Sequence, residues 1–221
     1  MKPLFISATG TDIGKSYVSR LIVQRFIAMG FESFLCKPLE SGVDCALPSD
    51  SSGHLETLLH SYKARGEVRE ISPKSICFAD FPLPAAPFVS AQKEEKTIDV
   101  IAMKQWIVNL AKEYSPLLIE GAGGLLVPIL ADYFMIDLAQ DLGAHVLLVA
   151  SPKLGGINDL LLSMEALQRR AIPYTPLLNI KADEIAYFEE ISAPFWKQRG
   201  GILQLERDFE ALVPALLAAI K

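Results

Sequence analysis

The stretch Ala8-Thr9-Gly10-Thr11-Asp12-Ile13-Gly14-Lys15-Ser16 leaves little freedom to the chain around it. It follows a short apolar run, Leu4 to Ser7, that reads as a buried strand, and it opens a segment of helical period from Lys15 to Met29. A chain passing from strand to helix in so few residues turns several backbone N–H groups inward. The positive end of the helix dipole adds to them, so the turn is a concave anion site. Gly14 permits close approach, Lys15 supplies a mobile charge for the β- and γ-phosphates of a nucleotide, and Ser16 offers a hydroxyl to magnesium. The glycine usual five positions ahead of the Gly-Lys pair is Thr9 here. A polar helix start capped by Thr11 or Asp12 is the plainer reading of the same residues. It does not account for a lysine at a helix start, where the dipole repels it unless an anion is bound.

Downstream, short apolar runs alternate with longer stretches of helical period, the pattern of βαβ units. Strands are predicted at Leu4 to Ser7, Ser33 to Lys37, Leu117 to Glu120, His145 to Ala150 and Pro176 to Asn179, with a weaker one at Ile202 to Leu205. Helices are predicted at Lys15 to Met29, Val100 to Tyr114, Ile136 to Leu142, Ile157 to Arg170 and Asp208 to Ile220. Glu40 to Gly53 and Phe78 to Ala91 read as long loops. The fold class that follows is α/β: a single P-loop NTPase-like domain over residues 1–221, with a mostly parallel central sheet flanked by helices. Ligands of such sheets bind at the carboxyl ends of the strands.

The net charge of −5 argues against a general affinity for nucleic acid or an anionic membrane. A composition 51% hydrophobic and 21% charged suits a parallel sheet buried on both faces, and it accommodates a buried subunit interface as well. The three cysteines, Cys36, Cys45 and Cys77, form no C-x-x-C pair and are odd in number, so neither a disulfide framework nor a zinc site is expected. Lys2 and Pro3 lead into an apolar stretch too short for a signal peptide, and no run approaches the ~20 apolar residues that span a bilayer. A soluble cytoplasmic protein is expected.

The other strand ends carry chemistry too. Lys37 closes the second strand, either reaching out to solvent or adding a second cation beside the phosphate loop. Glu120 precedes Gly121-Ala122-Gly123-Gly124, and it is either an ordinary charge at a strand end or a magnesium ligand across from Ser16. The turn Ser151 to Asn158 is a second anion site or a plain strand-to-helix turn. His54, His60 and His145 show no ligand spacing and are assigned no role.

Taken in order, A-T-G-T-D-I-G-K-S, K-P-L-E-S-G, the proline-rich run Phe78 to Pro87, L-I-E-G-A-G-G-L-L-V-P and K-L-G-G-I-N resemble dethiobiotin synthetase over most of the chain. The resemblance implies a homodimer that converts 7,8-diaminononanoate, carbon dioxide (or bicarbonate) and ATP to dethiobiotin, ADP and phosphate with Mg2+. It implies that Lys15, Lys37 and Thr11 are catalytic, and that Asp12, Ile13, Gly14, Lys15, Ser16, Tyr17, Glu120 and Asn179 hold the nucleotide. Asn179 would read the adenine. Lys37, Ser41 and the turn Leu154, Gly155, Gly156, Ile157 and Asn158 would hold the substrate, the turn reaching its carboxylate across the dimer interface. Ser16, Glu120 and Asp50 would bind the metal.

Three departures qualify this assignment. Ala8 and Gly10 stand where the family usually has glycine and Asp or Asn. Asp50-Ser51-Ser52-Gly53 has no carboxylate at the aligned metal position, so Asp50 serves only if the loop shifts. The proline-containing segment that frames the adenine is missing near Gly200 to Leu205, which leaves nucleotide selectivity open. The alternatives are a related amide-forming synthetase, a P-loop switch ATPase acting through a partner, and a chain that has lost activity. The switch ATPases usually carry a signature lysine early in the loop, and none lies between Ala8 and Ile13.

Overall fold

The computed structural model describes residues 1–43 and 49–221; residues 44–48, Cys45 among them, fall in the expected Glu40 to Gly53 loop and outside the described residues. The elements begin β1 (Leu4–Ala8), α1 (Lys15–Ala28), β2 (Phe34–Cys36), β3 (Leu39–Ser41), α2 (Asp50–Ala64), α3 (Pro73–Ile76), β4 (Ala79–Phe81), α4 (Pro87–Lys93) and α5 (Val100–Glu113). They continue as β5 (Leu117–Gly124), β6 (Pro128–Leu130), β7 (Tyr133–Phe134), α6 (Met135–Asp141), β8 (His145–Ala150), α7 (Gly156–Arg169) and β9 (Tyr174–Leu178). Last come α8 (Ile185–Tyr187), α9 (Ala193–Gln198), β10 (Leu203–Gln204) and α10 (Leu205–Ala219).

Six strands pair in the order β10-β9-β8-β1-β5-β2, every neighbouring pair parallel. Their carboxyl ends therefore share one edge of the sheet. Every residue of β1 and β8 is buried, as continuous apolar runs must be when both faces are covered. Helix α1 lays Val18, Ile22, Val23, Phe26 and Ile27 against the core at the three- and four-residue spacing of one helix face. Two small sheets, β3-β4 parallel and β6-β7 antiparallel, flank the main one.

Most predicted elements are found within a residue or two of their expected limits. Helix α10 begins three residues earlier than expected, because the Asp208 carboxylate accepts the Gln204 N–H at 2.8 Å and so sits inside the first turn. The two expected long loops need correction. Glu40 to Gly53 holds the end of β3 and the start of α2, and Phe78 to Ala91 holds β4 and the first turn of α4. Helix α2 escapes a hydrophobic pattern because its buried face is His54, Leu58, Ser61 and Tyr62, a helical spacing with polar groups in it. Strand β5 does not end at Glu120 but runs on through the glycines to Gly124, which pairs with Ala8 past an irregularity in register. A Cβ at Gly121 would come 2.9 Å from the Phe5 ring, so no side chain fits there. Among the described residues no helix is long and apolar enough to cross a membrane.

Candidate functional site

Between β1 and α1 the backbone turns through two left-handed residues, Asp12 at φ 60° and Gly14 at φ 85°. Thr9 N–H donates to the Val149 carbonyl at 3.0 Å and ties the loop to β8. Gly14 is the N-cap of α1, and among the described residues no side chain caps the helix, so neither Thr11 nor Asp12 fills the role that the plainer reading gave it. The first internal bond runs from Val18 N–H to the Gly14 carbonyl, which leaves the N–H groups ahead of Val18 available to an anion. Asn179, at the end of β9, is buried and donates its side-chain amide to the Ile13 carbonyl at 2.9 Å. It packs so tightly that a Cβ on Gly14 would lie 2.2 Å from its nitrogen.

A substitution tests this packing. Gly14→Ala forces an alanine into the left-handed region and pushes Asn179 off Ile13, and the two effects together should destabilise the protein by about 2–4 kcal/mol. Thermal unfolding of Gly14→Ala, Asn179→Ala and the double variant checks it. The double variant should lose less than the sum of the single losses, because the clash is then gone.

Across the edge of the sheet lies a charge cluster. Lys37 is only 7% exposed, so it does not reach to solvent; it pairs with Asp50, and its Nζ lies 3.3 Å from Glu120 Oε1 and 3.8 Å from Glu40 Oε1. Ser16 Oγ donates to Glu120 Oε1 at 2.7 Å. Glu120 is fully buried, not a charge at a strand tip. Burial pushes its carboxyl toward the neutral form, but His54, Lys37 and Lys15 outweigh it and hold the pKa far below the usual carboxylate range. Burial likewise works against the Lys37 ammonium, and the carboxylates of Glu120 and Asp50 reverse it, leaving its pKa raised. For Lys15 burial prevails, and its pKa is lowered despite the nearby Glu120 charge.

Asp50 reaches the cluster because Glu40 holds the start of α2. The Glu40 carboxylate accepts the backbone N–H groups of Asp50 at 2.7 Å and Ser51 at 3.3 Å, a negative charge on a helix N-terminus. Ser49 Oγ accepts the Ser52 N–H at 3.1 Å and caps the same helix. Asp50 is thereby held beside Lys37. Ser16, Glu120 and Asp50 offer hard oxygen donors, a set that suits Mg2+. Among the described residues no three His, Cys, Asp or Glu side chains form a complete metal cage, so phosphate oxygens and water would have to finish the coordination shell.

Lys15, Ser16, Lys37 and Asp50 open onto a cleft of about 680 Å³ lined also by Thr11, Ser41 and the Pro84 to Pro87 run, whereas the buried Glu120 is not part of its lining. The Ser41 hydroxyl is buried there with no hydrogen-bond partner among the described residues. Asp12, Gly14 and Tyr17 also line the cleft, whereas Leu154, Gly155, Gly156, Ile157 and Asn158 do not. That turn starts α7 elsewhere on the same sheet edge, with Leu154 84% exposed. Sequence reasoning missed Arg20, which lines the cleft and donates Nε to the Ser16 carbonyl at 3.1 Å, as well as Glu40 and His54. Their signals were faint: Arg20 stands one helical turn after Ser16, and His54 one turn after Asp50.

A strand-loop-helix anion site at the centre of a parallel sheet, with lysine, hydroxyl and carboxylate converging on it, defines a P-loop nucleotide-binding protein. The AAA domain family matches residues 2–192. A plasmid partition protein from Borrelia burgdorferi superposes with a TM-score of 0.56 at 12% identity, covering 99% of each chain, a likeness of fold alone. Over its whole length the chain is 47% identical to the ATP-dependent dethiobiotin synthetase of Wolinella succinogenes, covering 100% of both. It is 40% identical to that of Sulfurovum sp. strain NBC37-1 over 89% of this chain and 90% of the relative. The chain belongs to the dethiobiotin synthetases, the ATP-dependent ligases of biotin biosynthesis.

Proposed function

We propose that residues 1–221 act as one catalytic unit that carboxylates 7,8-diaminononanoate and closes the cyclic urea, consuming ATP with Mg2+ bound by Ser16, Asp50 and Glu120. When bound, the ion would neutralise charge on the β- and γ-phosphates. In this reading the loop from Thr11 to Tyr17 cradles the triphosphate, Lys15 contacts its outer oxygens, and Asn179 faces the base. One amine of the substrate takes up carbon dioxide as a carbamate, held by Lys37 and by the hydroxyl of Ser41. A carbamate oxygen attacks the γ-phosphorus and ADP departs. The second amine then attacks the carbonyl carbon of the mixed anhydride, the ring closes and phosphate leaves. Positioning and charge neutralisation do most of this work, so no side-chain nucleophile is required.

The observation that carries the reading is the meeting of two lysines, two carboxylates and the Ser16 hydroxyl beside the cleft, with Ser41 in its lining. In the same reading the exposed turn Leu154 to Asn158 serves the substrate carboxylate bound to a second copy, in a homodimer of the cytoplasm; the free thiols of Cys36 and Cys77 fit that compartment. The test is mass-spectrometric detection of dethiobiotin from purified protein, diaminononanoate, bicarbonate, Mg2+ and each nucleoside triphosphate in turn. Product should require both diamine and triphosphate, and ATP should rank first. Triphosphate hydrolysis without dethiobiotin would refute the proposed reaction.

A further inference from the structure

The fully buried His54 has no evident reason to be a histidine on packing grounds. Its side chain is 0% exposed on the inner face of α2, and neither ring nitrogen has a well-aligned hydrogen bond among the described residues. An unpaired imidazole at such a depth is less favourable than a hydrocarbon of the same size. The polar atom at hand is Glu120 Oε2, 3.0 Å from Nε2 and itself without an aligned donor. The separation is that of a hydrogen bond, while the approach is off-line. The terminal torsion of a glutamate is soft, so a small turn of the carboxylate brings the two into line.

We propose that His54 is a positioning residue that holds Glu120 Oε2 from behind and so presents Oε1 to Ser16 and the cation. The inference rests on the reading of Glu120 as a metal ligand. A free carboxylate can exchange its two oxygens by rotation, and a donor fixed on one of them sets which oxygen faces the site. Helix α2 makes the arrangement possible. Asp50 and His54 are one turn apart and share a face, so a single helix brings Asp50 to Lys37 on the open side of the cluster and His54 to Glu120 on the closed side. The Glu40 carboxylate, accepting the first N–H groups of α2, fixes the height of both.

Two polar replacements separate positioning from packing. Glutamine puts an amide nitrogen near the place of Nε2, whereas asparagine, shorter by one carbon, reaches only the place of Nδ1. His54→Gln should keep the Mg2+ dependence of the parent enzyme. His54→Asn should raise the Mg2+ concentration for half-maximal turnover by about 10-fold or more, with kcat at saturating Mg2+ nearly retained. Binding of Mn2+ in the presence of a non-hydrolysable ATP analogue, followed by electron paramagnetic resonance, reads the same difference without turnover. An asparagine variant with parental Mn2+ affinity would overturn the proposal, and so would equal loss in both variants. Glu120→Gln is the control. If it loses Mn2+ while His54→Asn does not, the role of Glu120 stands and that of His54 falls. If it keeps Mn2+, the metal reading beneath the proposal has failed.

Discussion

Replacing Lys15 by methionine should lower kcat/KM for ATP by about 10³-fold while leaving the thermal midpoint equal to or above that of the parent protein. The two halves of this prediction have one cause. Lys15 is half-buried and, among the described residues, makes no ion pair within hydrogen-bonding reach, so burial lowers its pKa. An ammonium in that position costs stability in the free protein and recovers it when a polyphosphate arrives. Methionine keeps the stem and removes the charge, so the site loses its main contact with the developing negative charge and the fold loses nothing. Steady-state kinetics and differential scanning calorimetry on one preparation decide the matter. Near-parental turnover would remove Lys15 from the mechanism, and a sharp fall in the midpoint would mean that its charge is compensated within the fold.

How much of this site the sequence disclosed depended on how each residue reaches it. Lys15 and Ser16 are neighbours in one turn, and the turn announces itself between an apolar strand and a helix. Lys37 and Glu120 end or interrupt continuous apolar runs, where any charged residue is conspicuous, and parallel pairing brings both to one edge. Burial, which only the packed structure supplies, removes the solvent-facing alternative for each of them. Asp50 and His54 were harder because they arrive on α2. That helix shows no apolar stripe, since His54 and Ser61 occupy half of its most buried face. Its polar inner face is also what the site needs, for a helix that presents an acid and an imidazole to buried charges cannot look hydrophobic there. The glycines after Glu120 misled in the other direction. The expected strand stops at Glu120, yet in β5 they are strand residues, and a Cβ would come 2.9 Å from Phe5 at Gly121 and 2.8 Å from Val127 at Gly123.

Removing Lys37 should be the most damaging single change to the fold, and it should lower activity as well. Its ammonium is the counter-charge to Asp50, Glu120 and Glu40, of which Glu120 and Glu40 are buried. Lys37→Met leaves those carboxylates facing one another, and breaking a buried pair from one side costs about 3–5 kcal/mol. The sign of the pH dependence follows from the shifts. Asp50 and Glu120 have depressed pKa values when folded, so their share of the stability is present above the unfolded carboxylate values and is lost as pH falls toward the folded ones. Lys37 has a raised pKa, so its share is fully present below the unfolded lysine value and is lost as pH rises through the folded one. The cluster therefore stabilises the fold between about pH 4 and about pH 10.4. The gap in thermal midpoint between parent and Lys37→Met should be widest near neutrality and should narrow at either limit. Mg2+ should raise the midpoint of the variant more than that of the parent, because a divalent cation takes the place of the missing ammonium among the same oxygens. Turnover at saturating Mg2+ should nevertheless stay down by about 10²–10³-fold, since the ion cannot also fill the place of the lysine beside Ser41. A variant whose midpoint matches the parent at pH 7 would show that solvent already screens the three carboxylates, and the cluster would then have no part in holding α2 to the sheet.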